Sequence, residues 1–452
     1  MVAVLWPIVG AGLVALVAVG VQQRRKLRQI KAPGESPTLP RPLAKNATLL
    51  SSSPSGAPLY TYVIGDLHGD ADCARYWVDK LELIGAAKTT VDDPSFDRSN
   101  VWLQPNSTLV FMGDYVDRGP QSLGTLQYVY SLTEAFPSYV TALMGNHEME
   151  LLKDRDPDTS IKYLQMPYAT VHPQEYLQYF GVQQPPQIPH QRLLDERDEL
   201  VVDLLLNASL EIYANGWHSH ILTTPSIADA QNIGRHAIVE LFSKGSGGSE
   251  IDDENVQLLV ASRLEEYQRA YLNAYADTTV LGAWLESLPV VHIEHGVLFC
   301  HGGLSGTTTS LLQEVGLEHL NAWTRNHTGA NVFRDFLENT PQGQAVYDIL
   351  TYRGNHQTGA CDALESRLHA LNVSKLVVGH TPAQNVRVKC DGTFFAVDSL
   401  LGRWIRTSGN FYCPVTARSS QNGKFACDDL IDSCEGQIVR INHDDGTVDI
   451  LS

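Results

Sequence analysis

Apolar stretches that end in short polar clusters recur along the chain. Three come early, at residues 60–70, 107–114 and 138–148, and each stops at residues rich in Gly, Asp, Asn or His. Apolar residues at helical spacing follow the first stretch in ADCARYWVDKLELIG, and SLGTLQYVYSLTEAF predicts a second helix. Strands that alternate with amphipathic helices indicate an α/β fold, and such folds bind ligands beyond the carboxyl ends of the strands.

The strand pattern then stops and later returns. Residues 149–290 predict a large and mostly helical insertion, which includes His218 and His220 as loop residues. The pattern returns in three later stretches, at residues 289–303, 375–383 and 393–404. Glu294-His295-Gly296 suits a hairpin turn, and Gly85 is placed to end the first helix. We therefore predict one α/β domain over residues 60–452 that carries the insertion.

The first 59 residues have a different composition. Residues 2–21 form an uncharged apolar run, and a basic flank starting at Arg24 follows it. Twenty apolar residues can span a bilayer as a helix, so residues 1–31 predict a membrane anchor. A cleaved signal peptide is the alternative, with Ala18-Val19-Gly20 as the cleavage site. Residues 32–59 are rich in Pro and Ser and predict a tether.

Charge and cysteine content limit the function classes. The chain has 452 residues, 43% of them hydrophobic, which is enough for a large core. Its net charge of −18 argues against a nucleic-acid partner. Phosphate substrates stay compatible with that charge, because metal ions and arginines can reverse the field in one cleft. The seven cysteines include no C-x-x-C pair, and they leave both lumenal disulfides and reduced thiols open.

The polar clusters contain the residue types of a centre for two divalent metal ions. We expect each cluster to end a strand of one sheet. The predicted ligands are, for one ion, Asp66, His68 and Asp114 and, for the other, Asn146, His301 and His380. Asp114 can bridge the two ions because it has two carboxylate oxygens. Nitrogen and oxygen ligands without thiolates favour Mn, Fe or Zn. Two such ions can activate a shared water and bind a phosphate.

Three further residues in the same clusters suit acid catalysis and phosphate binding. His147 directly follows Asn146, and Asp117 is available to orient it, so His147 is predicted to act as a general acid for the leaving oxygen. Arg118 can donate two hydrogen bonds to a phosphate. A scaffold protein without activity would not need His147 or Arg118.

The clusters also carry a family resemblance. GDLHG, GDYVDRG, GNHE, HGG and GH resemble the metallophosphoesterase superfamily, and within it the PPP-type protein phosphatases. HGGLSG, LTYRGNH and VVGHTPAQNVRVKCDGTFFAVDS are most similar to the Shewanella-like phosphatases. The resemblance implies a β-sandwich flanked by helices, the same metal ligands, and Arg353 as a second phosphate-binding residue. VDSLLGR departs from the ending of that subfamily and leaves the role of Asp398 open.

The resulting hypothesis is a phosphatase that hydrolyses phosphoserine, phosphothreonine or phosphotyrosine on proteins. A dinucleoside polyphosphate or pyrophosphate hydrolase is the alternative, because enzymes of that class use similar motifs. An inactive, membrane-tethered scaffold is the third reading. We expect a phosphoprotein or another phosphomonoester as the substrate.

The location of the catalytic domain follows from the charges beside the apolar run. The basic flank behind the run predicts a domain on the cytosolic side of the membrane. Five Asn-x-Ser/Thr sequences, at Asn46, Asn106, Asn207, Asn326 and Asn372, favour a lumenal or secreted domain instead. The cysteines of the last hundred residues favour the same alternative.

Overall fold

The computed structural model describes most of the predicted domain. It describes residues 59–86, 100–119, 121–155, 269–329, 332–403, 419–421, 424–426 and 433–452. The predicted anchor and tether, His218 and His220 with most of the insertion, and Cys413 and Cys427 lie outside these residues. Among the described residues, no helix is long and apolar enough to cross a membrane.

Two five-stranded sheets form the centre of the domain. The first has the order β14-β13-β1-β4-β5, formed by Val448–Leu451, Ile438–Asn442, Tyr60–Ile64, Ser107–Phe111 and Val140–Ala142. The second has the order β6-β7-β8-β10-β9, formed by Val291–Glu294, Val297–Cys300, Lys375–Val378, Phe394–Ala396 and Arg387–Lys389. In each sheet three neighbouring strands are parallel, β1, β4 and β5 in the first and β7, β8 and β10 in the second. The predicted clusters therefore end strands of two sheets and not of one.

Side chains alternate between the two faces of each sheet. Val63 and Val110 of the first sheet share an apolar cluster with Phe299 and Val377 of the second. Their neighbours along the strands, such as Ile64, belong to a second cluster with residues of the helices. The sheets therefore pack face to face as a sandwich with helices outside, and both faces of the central strands are buried. This is why those strands read as continuous apolar runs.

Nine helices lie in the described part of the chain. They are α1 Ala71–Lys80, α2 Ser122–Ala135, α3 Asn146–Asp154, α4 Val280–Ser287, α5 Gly306–Val315, α6 Glu318–His327, α7 Phe333–Asn339, α8 Pro341–Thr351 and α9 Cys361–Ala370. Short 3-10 turns cover Gly354–His356 and Cys390–Gly392. Two ribbons pair β2 Ile84–Ala86 with β3 Asn100–Trp102, and β11 Ser419–Gln421 with β12 Lys424–Ala426.

Two turns test the local predictions. The hairpin prediction is confirmed: β6 and β7 pair across His295 and Gly296, whose φ angles of 49° and 76° are those of a tight hairpin loop. The helix end predicted at Gly85 is wrong. α1 ends at Lys80, and Gly85 lies in β2, opposite Val101. The strand pairing satisfies the backbone there, and helical spacing alone could not reveal it.

Two disulfides join distant parts of the domain. Cys73 in α1 pairs with Cys434 ahead of β13, 361 positions later, and Cys361 at the start of α9 pairs with Cys390. Their Cα atoms are 5.2 Å and 5.1 Å apart, within the normal range for a disulfide. The structure thus selects disulfides from the two states that the sequence left open for these four cysteines.

Candidate metal centre

The predicted ligands lie just beyond the parallel strands, in loops except for Asn146, which begins α3. Five of the loop residues have a positive φ although none is glycine: His68, Asp114, Asp117, Arg118 and His380, with φ between 44° and 71°. Such a conformation costs about 1–3 kcal/mol for a residue with a Cβ and persists where the surrounding structure enforces it. Strain concentrated in these loops indicates a functional site.

Asp114 lies at the centre of the site. One group of possible metal ligands consists of His68, Asp114 and His147, and another of Asp114, His301 and His380. Asp114 Oδ2 lies 3.6 Å from His68 Nε2 and 3.2 Å from His301 Nε2. Its Oδ1 accepts the backbone N–H of His147 at 3.0 Å. Oδ2 is therefore the oxygen that faces both groups, whereas the sequence had pointed to both oxygens.

His301 and His380 come from the second sheet and meet Asn146. His301 Nδ1 lies 2.7 Å from the carbonyl of Met112 and can only donate there, so its Nε2 is the nitrogen left for a metal. Asn146 Oδ1 lies 3.1 Å from His301 Nε2 and 2.6 Å from His380 Nδ1. The structure brings together all three residues that were predicted to bind the second ion.

Asp66 lies beside the other group. Its Oδ2 is 4.0 Å from His68 Nε2 and accepts the backbone N–H of His380 at 3.0 Å. A Cβ on Gly379 would overlap Asp66 Oδ1, so only glycine lets the second sheet approach this closely. Asp66 is not a member of either group of possible ligands, although it borders both.

His147 lies between the carboxylate of Asp117 and the guanidinium of Arg118. Its Nδ1 lies 2.6 Å from Asp117 Oδ2, and its Nε2 lies 3.2 Å from Arg118 Nη2 and 3.9 Å from Asp114 Oδ2. All of these groups are buried except the partly exposed Arg118. A carboxylate behind an imidazole orients a metal ligand as well as a general acid. The geometry therefore adds metal binding as a second reading of His147.

The buried charges set the protonation of the imidazoles. Burial, with the nearby positive groups, lowers the pKa of His380 to about 2 and holds that of His68 well below its usual value. Burial lowers the pKa of His301 too, but the charges of Asp114 and Asp66 outweigh it and raise that pKa to about 10. His68 and His380 are thus neutral and ready to bind a cation, whereas a cation at His301 must displace a proton.

Arg353 lies at the rim of the site. It follows α8, is exposed, and donates from Nη1 to Thr381 Oγ1 at 3.1 Å. Thr381 directly follows His380. The charges of Asp66 and Asp114 act on Arg353, which puts its guanidinium within electrostatic range of the centre.

Glu148 is a site residue that the sequence reasoning missed. It is fully buried, and its carboxylate accepts four backbone N–H groups, from Asp114, Tyr115, Val116 and Gly145, at 2.7–3.2 Å. It therefore holds the strained loop of Asp114 in place. Its position directly after the His147 imidazole, in GNHE, was the available signal.

Asp398 is the residue whose role the sequence had left open. It follows β10, is buried, and lies against Asp66, whose pKa it raises in addition to the effect of burial. The structure places Asp398 behind the centre and not among its possible ligands. A polar residue directly after an apolar strand was again the signal.

Comparison with known families explains this arrangement. The model of the family described as calcineurin-like phosphoesterase matches residues 59–237. The chain contains a calcineurin-like metallophosphoesterase domain. The family resemblance stated from the motifs is thereby confirmed, and the His and Asp groups of this domain fit the divalent metals that the family uses.

Relatives of this chain belong to two enzyme classes. It is 37% identical over 86 residues to the serine/threonine-protein phosphatase 6 catalytic subunit of Caenorhabditis elegans, which is 19% of this chain and 20% of that protein. It is 38% identical over 92 residues to the symmetrical bis(5'-nucleosyl)-tetraphosphatase of Nitrosomonas europaea, 20% of this chain and 26% of that protein. The matches thus span only a fifth to a quarter of these relatives.

A similar solved structure is a cold-active protein-tyrosine phosphatase of a psychrophilic Shewanella species. The two chains are 19% identical with a TM-score of 0.46, and the alignment covers 88% of this chain and 81% of that one.

Proposed function

We propose that this phosphoesterase hydrolyses phosphate monoesters on proteins with two divalent metal ions. The observation that carries the proposal is the position of Asp114 Oδ2 between the imidazoles of His68 and His301, with the His147–Asp117 pair beside it. The donor set contains imidazole and carboxylate groups without thiolate, which suits Mn, Fe or Zn. The relative among the serine/threonine phosphatases supports protein substrates.

Each residue of the site has a role in this proposal. Asp66, His68 and Asp114 would hold one cation, and Asn146, His301 and His380 would hold the second, with Asp114 between the two groups. Bound cations would supply Lewis-acid activation of the phosphate and of a water. Asp117 keeps the His147 imidazolium oriented, and His147 Nε2 gives its proton to the leaving oxygen. Arg118 and Arg353 bind the non-bridging phosphate oxygens, and Arg118 is near enough to His147 to place the leaving oxygen there.

Hydrolysis of dinucleoside polyphosphates is the second candidate. The tetraphosphatase of Nitrosomonas europaea matches at an identity close to that of the protein phosphatase. The same groups of possible metal ligands and the same general acid would serve either reaction, because both reactions break a bond between phosphorus and oxygen. The substrates differ in size and charge, and a substrate panel distinguishes them.

The test is turnover of three substrates by the purified full chain. Para-nitrophenyl phosphate, a phosphopeptide and diadenosine tetraphosphate are assayed with Mn²⁺ and after chelation. We expect kcat/KM to be highest for the phosphopeptide among the two biological substrates. A preference for diadenosine tetraphosphate would establish the second candidate. No turnover of any substrate by protein with bound metal would favour the scaffold reading. His319→Ala, at an exposed histidine of α6, is the control variant.

A further inference from the structure

The two disulfides involve segments that neighbour loops of the metal centre along the chain. Cys73 follows His68 by five positions, and its partner Cys434 belongs to the last part of the chain. The Cys361–Cys390 pair encloses β8 and His380. The first bond thus joins α1, which follows the loop of His68, to the last part of the chain, and the second closes a segment that contains His380. In a reducing cytosol such pairs are kept as thiols, whereas the lumen of the secretory pathway keeps them oxidised.

One cysteine of each disulfide is buried, which favours permanent cross-links over a redox switch. Cys73, in α1, is fully buried and Cys390 is 9% exposed, whereas their partners Cys434 and Cys361 are partly exposed. Reductants reach a buried disulfide poorly, because exchange requires a thiolate to attack one of the sulfurs. Among the described cysteines, Cys300 alone is outside a disulfide, and it is fully buried with a pKa raised to about 12 by that burial. Its thiol is therefore unreactive in the folded protein.

Three of the five Asn-x-Ser/Thr sequences fall in the described residues. Asn106, Asn326 and Asn372 are all exposed. Glycan transfer needs the Asn-x-Ser/Thr sequence, and the folded protein must then leave the bulky sugar in solvent. All three positions meet this condition. The other two, Asn46 and Asn207, lie outside the described residues.

Two of these asparagines lie at the amino ends of central strands, and the metal centre lies beyond the carboxyl ends of the same strands. Asn106 directly precedes β4, and the predicted ligand Asp114 follows that strand. Asn372 precedes β8, and His380 follows it. A strand of five residues at about 3.3 Å each separates the two ends of β4. Glycans at these two positions would therefore leave the catalytic face open.

We infer that the phosphoesterase domain matures in an oxidising compartment and carries N-linked glycans on Asn106, Asn326 and Asn372. This assignment puts the domain in the lumen or outside the cell, against the cytosolic prediction from the basic flank. Its substrates are then phosphoproteins or other phosphomonoesters of the secretory pathway or the extracellular space.

The glycans are tested on the full-length chain expressed in eukaryotic cells. Treatment with an N-glycosidase should increase its electrophoretic mobility. Asn→Gln at the three positions together should reduce this mobility shift by the contribution of three glycans. Asn339→Gln, at an exposed asparagine outside any such sequence, should leave the shift intact. Ser374→Ala should remove the Asn372 glycan without changing Asn372. No shift in the wild type, or an undiminished shift in the triple variant, overturns the assignment.

The oxidising compartment is tested on the same protein by thiol labelling. The denatured chain is treated with a maleimide reagent, with and without prior reduction. Cys73, Cys361, Cys390 and Cys434 should be labelled only after reduction, and Cys300 in both cases. In Cys73→Ser, Cys434 should become reactive without reduction. Labelling of all four cysteines without reduction in the wild type overturns the inference, whether or not the protein is active.

Discussion

At the scale of single residues, His147 is the side chain whose protonation decides the chemistry that we propose. Its Nδ1 is bound by Asp117 at 2.6 Å, and its Nε2 faces the metal groups. We expect His147→Ala to lower kcat by roughly 10²–10⁴, the usual contribution of a general acid. The loss should be smaller for para-nitrophenyl phosphate than for a phosphopeptide, because a good leaving group needs less protonation. Turnover measurements on both substrates check this.

Metal content decides between the two readings of His147. A general acid can be removed while the metals stay bound, whereas removal of a ligand lowers the metal content. Elemental analysis of His147→Ala and of the control His319→Ala should give equal metal. Equal losses of kcat for both substrates, together with lost metal, would show that His147 is a ligand.

The pH dependence of turnover reports the Asp117–His147 pair. Burial lowers the pKa of His147, but the charges of Asp114 and Asp117 and the Asp117 hydrogen bond outweigh burial and raise it above 6.5. Activity needs the protonated form and is lost as the pH rises through that raised pKa. Asp117→Asn removes one charge, so the alkaline limb of the kcat profile should move to lower pH. Asp335→Asn, on the exposed side of α7, should leave the profile unchanged.

Glu148 acts on the shape of the Asp114 loop. Its Oε1 accepts the N–H groups of Tyr115 and Val116, and its Oε2 those of Asp114 and Gly145. In Glu148→Gln the amide NH₂ faces one of these pairs, so two buried donors lose their acceptor. We expect a loss of about 2–6 kcal/mol in the free energy of unfolding, at about 1–3 kcal/mol per group.

Chemical denaturation measures this loss, and the same helix supplies the control. Glu150 is half-exposed and pairs with Lys153, so Glu150→Gln should change the free energy of unfolding little. Equal stabilities of the two variants would contradict the proposed role of Glu148.

At the scale of elements, short strands and the strained turns that follow them bring distant residues to one place. β5 has three residues and β8 four, and directly beyond them lie Asn146 and His147 at the start of α3, and His380. Gly113 has a φ of 96°, and a Cβ there would approach Gly145 N to 2.5 Å, so neighbouring loops depend on glycine to pack.

Removal of the Cys361–Cys390 bond should destabilise the domain. The bond closes a segment with a sequence separation of 29. In the chain-entropy model a loop of this length accounts for about 3–4 kcal/mol of stability. We expect Cys361→Ser/Cys390→Ser to lower the free energy of unfolding by this amount, measured by chemical denaturation without reductant. A Cys300→Ser variant controls for loss of a buried sulfur. An unchanged free energy in the double variant would show that the bond does not form.

At the scale of the whole molecule, the metal centre joins the two sheets. Asp66, Asp114 and Asn146 follow strands of the first sheet, whereas His301 and His380 follow strands of the second. Bound metal should therefore stabilise the fold, by about 2.7 kcal/mol for a site at one hundred times its Kd. Chelation should abolish turnover and lower the midpoint of thermal unfolding, and Mn²⁺ should restore both.

Variants identify which residue joins the two sites. Asp114→Asn should lose more metal than His380→Ala, because Asp114 Oδ2 faces both groups. Elemental analysis checks the difference. Full activity after exhaustive chelation would contradict the two-metal proposal.

The sequence alone predicted most of the residues that meet at the site, but it missed Glu148 and left open how the residues meet. Apolar runs that end in Asp, His and Asn predicted the strand ends and hence a common site for Asp114, His301 and His380. The sequence could not assign the strands to two sheets. Strands that are buried on both faces show no alternation of apolar and polar residues, so nothing in them identifies the neighbouring strand. Gly85 could not be recognised as part of β2 either, because helical spacing does not reveal its pairing with β3.

By itself, the sequence determined the α/β class, the residue types of the centre and the family, because these depend on local patterns and on side-chain chemistry. Only the tertiary structure decided that Oδ2 of Asp114 serves both groups, that Glu148 shapes the loop, and that Cys73 reaches Cys434. Each of these facts depends on a contact between residues distant in the chain or on the direction of one side chain. Spacing along the sequence contains neither, because backbone geometry and packing set both.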